Sequence, residues 1–216
     1  MNITSRFGRF VSALAVTAFC TAEALAAPIP VASPPVLAAG FQVDWVQTDT
    51  SPHSVADALN VLNGTGGFNM LASATEYQSV INLADANVPF GGTDPVFAIR
   101  VSGYITVSTP GDYTFLSIHD DGIRVRVGGE EVILFNGDTA AIETDSIAYT
   151  LAAGVYEYEA ISWEQGGVFN LQLGWEGGNV GRVFIEGQHA AVPEPLSLAL
   201  VGTGLLGLAA IRRRRG

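Results

Sequence analysis

The chain has 216 residues, 48% of them hydrophobic, with no lysine, one cysteine and a formal net charge of −11. A single cysteine excludes a disulfide framework, and the excess of carboxylates excludes nucleic acid and other polyanions as partners. Such acidity suits divalent cations and neutral glycans, and it also keeps a chain soluble.

Arg6 and Arg9 precede a mostly apolar run from Phe10 to Cys20, and Ala24-Leu25-Ala26 is a small-x-small cleavage site. Residues 1–26 therefore read as a secretory signal peptide and do not belong to the fold. Its removal takes Cys20, so the mature chain is held by its core or by metal ions, without disulfides. Six of the ten arginines lie in the two terminal segments. Arg100, Arg124, Arg126 and Arg182 remain against 20 acidic residues, a net −16.

Residues 27–40, with Pro28, Pro30, Pro34 and Pro35, read as an extended Pro/Ala-rich linker. Residues 41–190 form the domain, about 150 residues and enough for a sizeable core. Phe41, Val43 and Trp45 alternate with Gln42 and Asp44, a strand pattern. Ser54 to Leu62 is the one helix, with Ser54 as N-cap, Asp57 in its first turn and Gly64 beyond its end. Loops follow at Asn63–Gly67 and Gly91–Asp94.

From Val96 onward the pattern is β. Strands are expected at 96–107, 113–118, 123–127, 132–135, 146–151, 155–163, 168–175 and 180–185, broken by Gly- and Asp-rich turns. Arg124 and Arg126 alternate with Ile123, Val125 and Val127 and are expected to share a solvent face. The fold class is all-β, an antiparallel sandwich or barrel.

The order Thr109-Pro110-Gly111-Asp112-Tyr113-Thr114-Phe115, His119-Asp120-Asp121-Gly122, Leu151-Ala152-Ala153-Gly154-Val155-Tyr156, Gly166-Gly167 and Leu171-Gln172-Leu173-Gly174-Trp175 resembles the anthrax protective-antigen domain family. That resemblance implies an antiparallel β-sandwich. It also implies, from the lectin members, that Asp120 and Asp121 bind Ca²⁺ and that the ion binds sugar hydroxyls. The corresponding second loop, Trp163 to Gly167, offers Glu164 and Gln165 as further ligands and lacks the Asn of those lectins. His119, Trp163 and Asn170 are the candidate ligand-binding neighbours.

The chemistry of the residues agrees with Ca²⁺. The ion takes six to eight oxygens, and two adjacent carboxylates repel unless a cation neutralises them. The other reading of Asp120-Asp121-Gly122 is a turn closed by side-chain to backbone hydrogen bonds. Trp45, Trp163 and Trp175 either fill the core or offer a sugar platform.

No nucleophile elbow and no metalloprotease helix occurs. His53, His119 and His189 have no metal-spaced partner. Asp120 with Glu164 is the one pair to test for glycoside hydrolysis. A non-enzyme is expected.

Val192-Pro193-Glu194-Pro195 opens the last segment. An uncharged run from Leu196 to Ile211 follows, then Arg212, Arg213, Arg214 and Arg215. As a helix the run spans roughly 24 Å, short of the ~30 Å hydrocarbon core, and snorkelling arginines close the gap. The arginines stay cytoplasmic and hold the domain outside. An ordinary single-span anchor has this pattern. So does the PEP-CTERM sorting signal, which residues 192–216 closely resemble. That resemblance implies cleavage near Pro193-Glu194-Pro195 by an exosortase-type transpeptidase, after a transient stay in the inner membrane of a Gram-negative bacterium.

The expected function is that of a surface or matrix protein whose sandwich binds a neutral glycan or exopolysaccharide with Ca²⁺. The alternative is a structural surface protein that binds no sugar, with Ca²⁺ only stabilising a loop.

Overall fold

The structure is a computed structural model that describes residues 28–34, 36–91 and 94–191. The signal peptide, the 196–211 helix, Val192 to Pro195 and Arg212 to Arg215 lie outside the described residues. In chain order the elements are β1 (Leu37–Ala39), β2 (Phe41–Thr48), α1 (Val55–Asn63), β3 (Met70–Gln78) and β4 (Asn82–Ala84). A 3₁₀ turn (Asp85–Asn87) leads to β5 (Phe97–Val107), β6 (Gly111–Asp120), β7 (Ile123–Val127), β8 (Glu130–Phe135), β9 (Ile142–Leu151), β10 (Gly154–Glu164), β11 (Asn170–Gly177), β12 (Val180–Phe184) and β13 (Gln188–Ala190).

Two antiparallel sheets face each other. The larger has eight strands, β1-β13-β5-β10-β7-β8, with β2 on β5 and β3 on β2. The smaller has the order β12-β11-β6-β9, with β4 on β11. Period-two alternation sends Phe41, Val43 and Trp45 of β2, Ile99 and Val101 of β5, Phe115 of β6 and Leu171 of β11 into one core, each 0% exposed. Each such side chain contributes about 1.5–3 kcal/mol of transfer free energy.

β5 and β10 are apolar on both faces near their paired ends because a helix covers the outer side. Val55, Ala58 and Val61 of α1 pack on Val46, Ala98, Ile161 and Trp163. Ser54 caps the helix by accepting from the Asp57 N–H at 3.1 Å, and Gly64 closes it in the left-handed region at φ 65°.

The structure departs from the sequence reading in three places. The Pro/Ala-rich segment is tied to the sandwich: β1 pairs with β13, the Ala32 N–H bonds the Val155 carbonyl at 2.7 Å, and Ile29 is buried. Its prolines still bar a long strand. β3 and β4 are strands where none was expected. Arg124 is buried rather than on a solvent face, because its guanidinium folds onto Glu159 at 2.7 Å, while Arg126 is exposed.

Candidate metal centre at the acidic corner

β6 ends in the smaller sheet and β7 begins in the larger, so Asp120-Asp121-Gly122 carries the chain from one sheet to the other. The end of β10 braces this corner. The Asp121 N–H donates to the Trp163 carbonyl at 2.9 Å, and the Ser162 hydroxyl donates to the Gly122 carbonyl at 2.8 Å. The Asp120–Asp121 peptide bond is cis. Position 122 favours glycine, since a Cβ there would run into the Trp163 indole and the Gly137 carbonyl.

Asp121 is buried, and both its oxygens accept backbone N–H groups, from Thr139 at 3.1 Å and Gln165 at 2.8 Å. Asp120 lies one residue earlier and is only partly buried. Glu164 reaches the corner from β10, where it stands opposite Phe97. It is buried, and one oxygen accepts the Gly166 N–H at 2.8 Å. Carboxylate oxygens of Asp120, Asp121 and Glu164 all lie within 4.8 Å of one another.

The crowding raises all three acids. Burial is the main cause for Asp120, with the Asp121 charge second. Burial also raises Asp121, against the two N–H bonds that favour its ionised form. Glu164 is pushed up to about 7, by burial first and then by the charges of Asp121 and Asp120.

Two buried oxygens here lack any partner among the described residues: Oε2 of Glu164 and Oδ1 of Asn170. Asn170 stands directly opposite Asp120 in the sheet. Buried polar atoms are rarely left unpaired. The three carboxylates form an all-oxygen donor set, which fits a hard divalent cation such as Ca²⁺.

Two other expected ligand-binding residues do not reach the surface. His119 is 0% exposed. Its Nδ1 lies 2.5 Å from the Asp121 carbonyl, so it carries the proton, and Nε2 accepts from the Thr144 hydroxyl at 2.9 Å. Burial lowers its pKa, so it braces the corner as a neutral ring. Trp163 is also fully buried beneath α1 and offers no sugar platform. Gln165 takes part through its backbone: its N–H serves Asp121 and its carbonyl accepts from Ser51 at 2.9 Å.

The corner opens on a cleft of about 480 Å³ lined by Asp120, Asp121, Asp138, Thr139, Gln165 and Val168. Asp138 on its rim accepts from the Trp163 indole N–H at 3.2 Å and sits 2.6 Å from His53 Nδ1. Asp85 adds charge behind the cluster while accepting the Phe169 N–H at 2.7 Å. Sequence reasoning missed Asp138, His53 and Asp85, because residues so far apart in the chain carry no spacing signal.

The two antiparallel sheets, the acidic inter-sheet corner and the covering helix define a β-sandwich module. The PA14 domain model matches residues 46–183, and the chain belongs to that family. The PEP-CTERM protein-sorting motif matches residues 191–215, which marks an exported, surface-sorted protein with exosortase-type processing.

Solved structures share the fold. The PA14 domain of the MpAFP antifreeze protein is 18% identical with a TM-score of 0.57, covering 76% of this chain and 98% of that one. The PA14 sugar-binding domain from an RTX adhesin is 18% identical with a TM-score of 0.56, covering 70% and 99%. The Epithelial Adhesin 9 A domain from Candida glabrata, in complex with Galβ1-3GlcNAc, is 13% identical with a TM-score of 0.56, covering 78% and 97%. No match is found among curated proteins.

Proposed function

We propose that the acidic corner binds Ca²⁺ and that the ion, at the floor of the open cleft, holds hydroxyls of a neutral glycan. The protein acts without catalysis, at the cell surface or in the matrix of a Gram-negative bacterium. The observation that carries the reading is the meeting of Asp120, Asp121 and Glu164 within 4.8 Å beside oxygens that lack partners. Asp120, Asp121 and Glu164 supply the charged ligands and Asn170 a neutral oxygen. An ion that takes six to eight oxygens then has positions left on the cleft side for hydroxyls or water. The sugar-binding domain of the RTX adhesin and the glycan complex of the yeast adhesin support this reading by likeness of fold.

Glu164 itself favours a second reading. A third carboxylate over-neutralises the ion and tightens its shell, which suits a structural clamp that binds no sugar. The test is calorimetric titration of Ca²⁺ into chelator-stripped residues 27–191, followed by a glycan array with and without the ion. Binding of both, with sugar lost in chelator, establishes the lectin reading. Ca²⁺ binding with a blank array selects the clamp. In the same titration Asp121→Asn weakens Ca²⁺ binding at least about tenfold, or 1.4 kcal/mol. An unchanged affinity in that variant removes the corner as the site.

A further inference from the structure

We propose that two copies of this protein associate through β3, pairing antiparallel about a two-fold axis at Ala74. Among the described residues β3 pairs with β2 alone, so its other side presents unpaired backbone N–H and C=O groups along nine residues. Native edges are commonly blunted by charge, proline or shortness. The other free edges here are. β8 carries Glu130 and Glu131, β9 carries Glu143 and Asp145, β12 has only five residues, and β1 and β4 have three each. β3 reads Met-Leu-Ala-Ser-Ala-Thr-Glu-Tyr-Gln and has one charge, Glu76. That carboxylate accepts the Trp45 indole N–H at 3.0 Å, tied to its own chain.

The occupant follows from self-complementarity. Side chains at 71, 73, 75 and 77 share the exposed face. About an axis at Ala74, Leu71 falls opposite the partner's Tyr77, and Ser73 falls opposite the partner's Thr75. Leu71 is 59% and Tyr77 52% exposed, so each large apolar side chain meets the other type, twice per dimer. Aromatic–aliphatic and hydroxyl cross-strand pairs of this kind stabilise antiparallel sheets, and the contact is isologous. The exposed side chains of the strip are themselves uncharged, and the Asp44 carboxylate beside them is held by the Thr75 hydroxyl at 2.7 Å, so two chains of net −11 can approach along it. Pairing would join the two eight-stranded sheets into one.

The test is register-specific disulfide trapping in the full chain in detergent, with Cys20→Ser removing the one natural thiol. Leu71→Cys and Tyr77→Cys are prepared separately and oxidised alone and mixed. Position 71 faces position 77, so the mixture forms linked dimers several-fold more than either variant alone. Equal linking in the separate variants, or none in the mixture, overturns the pairing. Sedimentation supplies the second measurement. The parent chain sediments as a dimer, strengthened by salt, and Ser73→Lys with Thr75→Lys returns it to monomer by setting like charges opposite each other. A parent that stays monomeric, or a dimer that survives both lysines, sinks the proposal.

Discussion

Glu164 is a carboxylic acid pressed against two aspartates, with one oxygen that no group among the described residues satisfies. In the folded chain its pKa is pushed up to about 7, from 4.5. A carboxyl raised on folding favours the folded state while protonated. Stability of the metal-free chain therefore falls as pH rises from about 4.5 to about 7, by on the order of 3 kcal/mol for this residue. Asp120 and Asp121 are raised as well and act in the same direction. Thermal melts in chelator should show a lower midpoint at pH 8 than at pH 5, and Glu164→Gln should flatten the difference. A flat parent profile would place Glu164 in water. Added Ca²⁺ should reverse the trend, since a metal selects ionised carboxylates and releases their protons.

The strands that hold this corner were legible to very different degrees. β5 and β10 have long runs of apolar residues, and their bounds fall within a residue or two of the expected 96–107 and 155–163. The helix was equally plain, since Ser54, Asp57 and Gly64 are start and stop signals. β3 was hidden because it is an edge. It sends Leu71, Ser73, Thr75 and Tyr77 to solvent and Ala72, Ala74 and Glu76 inward, so apolar alternation never develops. At the corner, the adjacent aspartates and Glu164 were visible in the chain, whereas Asp138 and His53, 85 positions apart, meet only through folding. Burial of Trp163 follows from α1 crossing the outer face of the sheet, a tertiary fact with no local signal. Gly122→Ala tests how rigid the corner is. The added methyl meets the Trp163 ring and the Gly137 carbonyl, and overpacking of this kind costs about 1–3 kcal/mol. Denaturant midpoints should register that loss together with weakened Ca²⁺ binding. A neutral effect would show that the ring yields.

For the whole molecule, the sorting motif and the PA14 domain occupy separate stretches of one chain, so their failures are separable. Replacing Glu194 with alanine should leave the full-length precursor in the membrane with its domain folded, as seen by fractionation and immunoblotting. Unaltered processing would point to a plain anchor. The close fit of Gly122 over Trp163 has a practical consequence. The indole N–H of that tryptophan is bonded to Asp138 on the cleft rim, while Trp45 lies in the core between the sheets and Trp175 packs against its edge. Whatever fills the cleft perturbs the field across one buried chromophore, so the protein carries its own fluorescent gauge of occupancy and needs no dye.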